Sequence, residues 1–239
     1  MTVRLDGIDL VVFDKDGTII EFGAMWSGWA VTLADGLRAA TGRSVDGPLY
    51  AMLGYDPATR AVAPGGGLAA TPMARLRDRT LEVLIGEGLA PAAAEDALRV
   101  AWHAPDPVGL AHPLADLHVL FAQLHDSGRR VAIATSDDRA PTERTLAALG
   151  LGAAFDALVC ADDGVPVKPA PDMVDHLCAV LAISQLRTAV VGDSPADLEM
   201  ARAAGAGLVI GVLTGVGDRD HLAPLADIVI DSVGALLAG

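Results

Sequence analysis

The sequence predicts an α/β protein with a doubly wound parallel sheet and a helical insert after its first strand. Three observations predict it. From His112 onward, short apolar runs rich in branched side chains alternate with stretches of helical spacing. The runs lead into glycine or polar turn residues rather than continuing into longer apolar stretches. Between the first run and His112, residues 22 to 108 carry helical spacing and no clear strand.

In chain order, Ile8 to Phe13 is short, apolar and branched, as expected of a strand buried on both faces. It ends in Asp14-Lys15-Asp16-Gly17-Thr18: two carboxylates around a lysine, a glycine fit for a sharp turn and a hydroxyl able to bond the strand end. Extended alternation through this motif sets Asp14 and Asp16 on one side and Lys15 on the other, pointing away from the site. Trp26, Trp29 or Ala30, Leu33 and Leu37 then fall at helical spacing, with Gly42 just past the end. Residues 43 to 70 are irregular, with turns at Asp56-Pro57 and at Pro64-Gly65-Gly66-Gly67. Thr71-Pro72 opens a helix running to about Ile85, and another starts near Pro91 and stops before Pro105-Asp106-Pro107. The expected division is a core of residues 1–21 and 109–239 and an all-helical insert of residues 22–108.

In the second part of the core, helices are expected from Pro113 to about Ser127, Thr142 to Leu149, Pro171 to Leu181 and Ala196 to Ala204, with a closing helix near Val233 to Leu237. Strands are expected at Arg130 to Thr135, Ala157 to Cys160, Thr188 to Val191, Gly207 to Val212 and Asp227 to Ile230.

Composition narrows the function. The hydrophobic content is 52%, yet the longest uncharged candidate, Ala203 to Gly217, is shorter than the ~20 residues of a membrane span and is broken by glycines. With no basic, apolar leader at the start, a cytoplasmic protein is expected. Cys160 and Cys178 lack metal-ligand spacing and read as buried, reduced thiols. A net charge of -14 argues against a nucleic-acid backbone or anionic lipid as partner. The chain has only two lysines, Lys15 and Lys168, against 15 arginines. A lysine in such a chain marks a place where a compact ammonium is needed, an inference that weighs more for Lys168, beside Pro169-Ala170-Pro171, than for Lys15.

Parallel sheets do their chemistry at the carboxyl ends of their strands. In this reading those ends supply Asp14 and Asp16; Thr135-Ser136-Asp137; Asp162-Asp163-Gly164 leading to Lys168; and Gly192-Asp193-Ser194, with Asp197 on the following helix. Acids, a hydroxyl and a rare lysine on one edge suit transfer of a phosphoryl group to a carboxylate. A carboxylate attacking a phosphate ester meets an anion, at ~4 kcal/mol for unit charges ~4 Å apart and an effective dielectric of ~20. Mg²⁺ and an ammonium offset that repulsion and stabilise the equatorial oxygens. A second acid, Asp16, protonates the leaving oxygen and then activates water.

Asp14-Lys15-Asp16-Gly17-Thr18, Thr135, Lys168 and Gly192-Asp193-Ser194-Pro195-Ala196-Asp197 resemble, in type, order and strand context, the four motifs of the haloacid dehalogenase-like (HAD) hydrolase superfamily. The resemblance spans nearly the whole chain and implies a Rossmann-like core. It implies that Asp14 is the nucleophile, Asp16 the general acid/base, and Thr135, Ser136 and Lys168 the phosphate holders. Mg²⁺ would be held by Asp14, Asp193 and the backbone carbonyl of Asp16, with Thr18 and Asp197 in support. The insert resembles the mobile helical cap of the phosphoglycolate phosphatase and β-phosphoglucomutase branch, where such caps close over the site and carry specificity. The implied activity is a Mg²⁺-dependent phosphatase acting on a small-molecule phosphomonoester, phosphoglycolate-like by branch, in a monomer or homodimer.

Other branches fit less well. Dehalogenases are expected to lack the second aspartate, present here as Asp16, and phosphonoacetaldehyde hydrolases need a cap lysine, absent from residues 22–108. A sugar phosphomutase keeps all four motifs and stays as the alternative. A non-enzymatic phosphate-binding or signalling module is the alternative from another class, disfavoured because no motif residue is missing. Gly65-Gly66-Gly67 is followed by no Gly-Lys-Ser/Thr, and Gly211 to Gly217 fits no dinucleotide fingerprint. Trp26 and Trp29 read as packing for at least one of the pair, Pro64 to Gly67 as a surface loop and His112 as a structural or solvated residue. Asp162 and Asp163 either orient Lys168 or form a solvated turn.

Overall fold

The computed structural model describes residues 3–103, 105 and 109–238. The chain divides into two compact units, Met1–Phe22 with Pro107–Gly239, and Gly23–Asp106. The chain order is β1 (Leu10–Phe13), α1 (Phe22–Thr41), α2 (Asp46–Leu53), β2 (Tyr55–Asp56), β3 (Ala61–Val62), α3 (Gly67–Ala70), α4 (Met73–Gly86) and α5 (Pro91–Ala101). It continues with α6 (Leu117–Asp126), β4 (Arg130–Ala134), α7 (Arg139–Ala148), β5 (Ala157–Val159), α8 (Asp172–Leu181), β6 (Thr188–Gly192), α9 (Pro195–Ala204), β7 (Leu208–Val212), α10 (Arg219–Leu222) and β8 (Ile228–Ile230).

In the first unit, six strands pair in the order β5-β4-β1-β6-β7-β8, all parallel. This is the Rossmann-like doubly wound arrangement. The strand β1 sits at its centre, Leu10–Phe13 in register with Arg130–Ile133 on one side and Thr188–Val191 on the other. Connections run outward in opposite directions from β1 and from β6, so the crevice between them opens at their carboxyl ends.

All of β1 is buried, because both faces of the sheet are covered. Val11 and Phe13 pack in a core with Leu117, Leu120, Phe121 and Leu124 of α6. Leu10 and Val12 pack in another with Met173, Val174 and Leu177 of α8 and Leu198 of α9. Each fully buried aliphatic side chain contributes about 2 kcal/mol, so this strand is fixed firmly enough to carry a site at its end. Helix α9 starts in a reciprocal capping box between Ser194 and Asp197, with Pro195 in its first turn.

Some boundaries differ from the sequence pattern. The helix expected from Pro113 begins at Leu117, where the Asp116 side chain accepts the Val119 N–H at 3.1 Å. Pro113 instead bridges to Ile20, and Leu114 N–H donates to Ile19 O at 3.0 Å. Helix α7 begins at Arg139 rather than Thr142, its first N–H donating to the Asp162 carboxylate. The closing element, Val233–Ala238, is a 3₁₀ helix.

In the second unit, residues 43 to 70 hold more structure than the turn signals indicate. They form α2, α3 and an antiparallel β2–β3 pair, so the insert is helical apart from this hairpin. Asp56 turns the hairpin, its carboxylate accepting from Ala58 N–H and Thr59 O–H. Strands of two residues are too short to leave an alternating pattern. Trp26 and Trp29 are both buried; Trp29 meets Trp26 and Trp102 edge to face, with centroids 6.0 and 5.1 Å apart. Pro64 to Gly67 leads into α3, with Gly66 N–H bonded to Ala63 O. Of the expected stop Pro105-Asp106-Pro107, the last two residues lie outside those described, as does the expected boundary at residue 108. Among the described residues, no helix is long and apolar enough to cross a membrane.

Candidate active site

The site is built where β1 ends. Extended geometry stops there: Gly17 has φ +88, and the N–H groups of Ile19 and Ile20 both turn back to Lys15 O at 3.0 Å. Alternation therefore does not carry through the motif, and Lys15 does not point away. Its side chain is 1% exposed, with Nζ 2.6 Å from Asp16 Oδ2 and 2.9 Å from Asp137 Oδ2. Glycine is required at position 17 twice over, by its φ and because a Cβ there would fall 2.5 Å from Asp193 Oδ2.

Lys168 forms a second bridge. Its buried ammonium bonds Asp14 Oδ1 and lies 2.6 Å from Asp197 Oδ1. Asp197 Oδ2 accepts from the Ser194 N–H at 3.0 Å and its O–H at 2.6 Å, so the capping box that starts α9 also fixes a site carboxylate. Asp193 at the end of β6 accepts from Thr18 O–H at 3.1 Å and from Val216 N–H at 2.9 Å. Thr18 thus bonds Asp193. Thr135 is buried at the end of β4, its Oγ1 accepting the Asp137 N–H at 3.2 Å, with half-buried Ser136 between them.

The carboxylates outnumber the ammonium groups, and burial sets their protonation. Burial pushes Asp14 up to about 6, with Lys168 opposing and Asp197 assisting. Burial pushes Asp16 up to about 7 against the pull of Lys15. Asp193 is raised well above the carboxylate range by burial, Asp14 and Asp197. For the two lysines, burial works toward the neutral amine but the paired carboxylates outweigh it, holding both above the ordinary lysine range. One oxygen of Asp16, Oδ1, is buried and makes no hydrogen bond.

Asp14, Asp193 and Asp197 each offer one carboxylate oxygen, all within 4.8 Å of one another. Hard oxygen donors in an excess of buried negative charge fit Mg²⁺, which such carboxylates favour and whose charge relieves their repulsion.

Three features of the site escaped the sequence pattern. The pattern points Lys15 away, places Asp137 at a strand end without a partner, and reads the loop after β7 only as no match to a dinucleotide fingerprint. That loop holds Asp193: besides the Val216 contact, Gly217 N–H donates to Asp193 O, Thr214 O–H donates to Gly17 O, and a Cβ on Gly215 would fall 1.8 Å from Asp193 Oδ2. A Thr-Gly pair at a strand's carboxyl end was the available signal. Asp162 and Asp163 lie on an exposed turn, the second of the two readings, and their partner is Arg139 rather than Lys168. They bind Arg139, with Asp163 also accepting Cys160 N–H, and so fasten the loop after β5 to α7. His112 is exposed and serves through its carbonyl, which accepts Glu21 N–H. Cys160 and Cys178 are buried free thiols.

Comparison with known proteins agrees with this geometry. A phosphoglycolate phosphatase of Cupriavidus necator is 34% identical over 118 residues, 49% of this chain and 51% of that protein, so the match spans about half its length. One from Rhodospirillum rubrum is 28% identical over 206 residues, 84% of this chain and 78% of that one. The fold is similar to the crystal structure of a predicted phosphoglycolate phosphatase from Haemophilus somnus, with a TM-score of 0.73, 16% identity and coverage of 98% and 99% of the two chains. The family model of the haloacid dehalogenase-like hydrolases matches residues 8–205, the stretch that carries every site residue except the Thr214–Gly217 loop, and the chain belongs to that family.

Proposed function

We propose that the protein is a Mg²⁺-dependent phosphatase of small phosphorylated metabolites, working through an aspartyl-phosphate on Asp14. The observation that carries this reading is the pairing of Asp14 with Lys168 at the strand end where Asp16, Thr135 and Asp193 also converge. The named relatives, phosphoglycolate phosphatases, support a short anionic ester as substrate.

In the first step Asp14 attacks phosphorus and the ester oxygen leaves, taking a proton from Asp16. In the second, Asp16 takes a proton from water, which attacks the acyl-phosphate and frees Asp14 and inorganic phosphate. Lys168 balances the charge of nucleophile and phosphate, while the Thr135 hydroxyl and the backbone N–H groups at Ser136 and beyond bind the remaining oxygens. Bound by Asp14, Asp193 and the carbonyl of Asp16, Mg²⁺ would supply positive charge to the transferring group. Thr18 and Asp197 hold Asp193 and Lys168 in place. Residues 1–21 with 109–239 carry this chemistry, and residues 22–108 select the ester.

The test is phosphate release from a panel of small phosphomonoesters, with Mg²⁺ and with chelator, for the wild type and Asp14→Asn. Release that needs both the metal and Asp14 supports the reading. Release by Asp14→Asn at the wild-type rate overturns it, and interconversion of sugar phosphates without net release would make the chain a mutase.

A further inference from the structure

Lys15 stands between the two acids to which the reaction is assigned, yet the reaction as written does not use it. Burying an ammonium costs several kcal/mol unless it is well paired, so a lysine at 1% exposure between two aspartates calls for an explanation. Its surroundings are asymmetric. Nζ contacts Oδ2 of Asp16, while Oδ1 of the same carboxyl is buried and makes no hydrogen bond. The other partner, Asp137, is itself anchored: its N–H bonds Thr135 Oγ1 and its carbonyl accepts Ala161 N–H at 2.9 Å. The bridge therefore joins the turn after β1 to the turn after β4 through the residue next to the nucleophile.

We propose that Lys15 is a positioning residue: braced by Asp137, it pins Oδ2 of Asp16, so that Oδ1 is the oxygen that gives the proton to the leaving ester and later takes one from water. This rests on the assignment of Asp16 as general acid/base. In the first step the bond from Asp14 to phosphorus forms as the ester P–O bond and the Oδ1–H bond break; the phosphoryl group ends on Asp14 and the proton on the alcohol, and Lys15 keeps its protons throughout. A guanidinium does not replace it, because its planar fork cannot occupy the volume of a compact ammonium between two carboxylates.

The test compares kcat/KM, which reports events up to departure of the leaving group, for an alkyl ester and for p-nitrophenyl phosphate, whose phenolate leaves without a proton. Wild type, Asp16→Asn, Lys15→Met, Lys15→Arg and Asp137→Asn are measured with Mg²⁺. Asp16→Asn should lose about 10²- to 10⁴-fold on the alkyl ester and far less on the aryl ester. Lys15→Met should show the same selectivity, with an alkyl loss at least about tenfold larger than its aryl loss, and Lys15→Arg should not restore the alkyl rate. Asp137→Asn, which keeps the side-chain volume, repeats the test if Lys15→Met does not fold, and should show the same bias more weakly. If Asp16→Asn is selective while the Lys15 and Asp137 variants lose both esters equally, Lys15 is only structural and the inference is overturned. If Asp16→Asn is not selective, the acid/base assignment fails on its own account and takes the inference with it.

Discussion

The two ends of the parallel sheet treat carboxylates in opposite ways. At the amino ends, Asp9, Asp156 and Asp227 each stand one residue before a strand and each meets an arginine. Asp156 also accepts Val131 N–H, and Asp227 accepts Val209 N–H, so each ties the start of a neighbouring strand. The bonding from Arg187 holds Asp9 below the usual carboxylate range. At Asp156 burial is outweighed by the Val131 N–H, His125 and Arg130, and at Asp227 by Arg202 and the Val209 N–H, so both are also lowered. At the carboxyl ends of β1, β4 and β6 the pairing differs, although Arg139 meets Asp163 in the loop after β5: Asp14, Asp16, Asp137 and Asp197 share Lys15 and Lys168, and Asp14, Asp16 and Asp193 are raised. One end is electrostatically settled and steadies the fold. The other is left acidic, its carboxyls raised by burial and by one another.

This contrast can be broken most sharply at Asp14, the proposed nucleophile. Asp14→Asn should lower phosphate release by about 10³-fold or more while far-ultraviolet circular dichroism stays that of the wild type, and near-normal turnover would refute the assignment. Lys168→Arg keeps the charge but not the shape, and should lose about 10²-fold in kcat, since a planar fork does not take the place of a compact ammonium between Asp14 and Asp197. Full activity in that variant would show that any cation suffices there.

A smaller effect concerns stability. In chelator, Asp193→Asn should raise the unfolding temperature at pH 7 by a few degrees while removing activity, because it removes a carboxyl whose ionisation burial, Asp14 and Asp197 oppose in the folded state. The sign of the pH dependence follows. Acids raised in the folded state bind more protons there than in the unfolded chain, so the metal-free protein should gain stability as pH falls from about 7 toward 5. Acids lowered in the folded state add stability above about 4 that is lost below it. Thermal unfolding against pH in chelator should therefore peak between these limbs. Asp193→Asn should flatten the upper limb and Asp156→Asn the lower. A curve that only rises from pH 4 to pH 7 would remove the argument for raised carboxyls at that end. The smallest effect is Asp156→Asn itself, costing about 1 kcal/mol at pH 7 in denaturant unfolding, with activity within twofold.

Both lysines of the sequence are buried between carboxylates, Lys168 beside Asp14 and Asp197 and Lys15 beside Asp16 and Asp137; strand alternation gives Lys15 less weight because it points that side chain outward. That rule fails where the strand stops, and the turn closed by Gly17 stops it at Phe13. The sequence leaves Asp162 and Asp163 open between orienting Lys168 and forming a solvated turn, and the structure puts both on an exposed turn bound by Arg139 of the preceding helix. The hairpin at Tyr55–Val62 and the Asp193-holding loop at Thr214–Gly217 were invisible for a common reason. Each is defined by its partners, and neither is long enough to show a period of its own.

The sequence by itself determined the alternation of helices and strands in the core, the parallel sheet and the identity of the acids, hydroxyl and lysine at its carboxyl edge. Those follow from local periodicity, from turn residues and from the chemistry of short motifs. Only the tertiary structure decided who pairs with whom. It set Lys15 between Asp16 and Asp137, Lys168 between Asp14 and Asp197, and Asp193 against Thr18 and Val216. The reason is physical: β1 lies between β4 and β6, so strand ends far apart in the chain become neighbours, and a buried charge is governed by its spatial neighbours rather than its sequence neighbours.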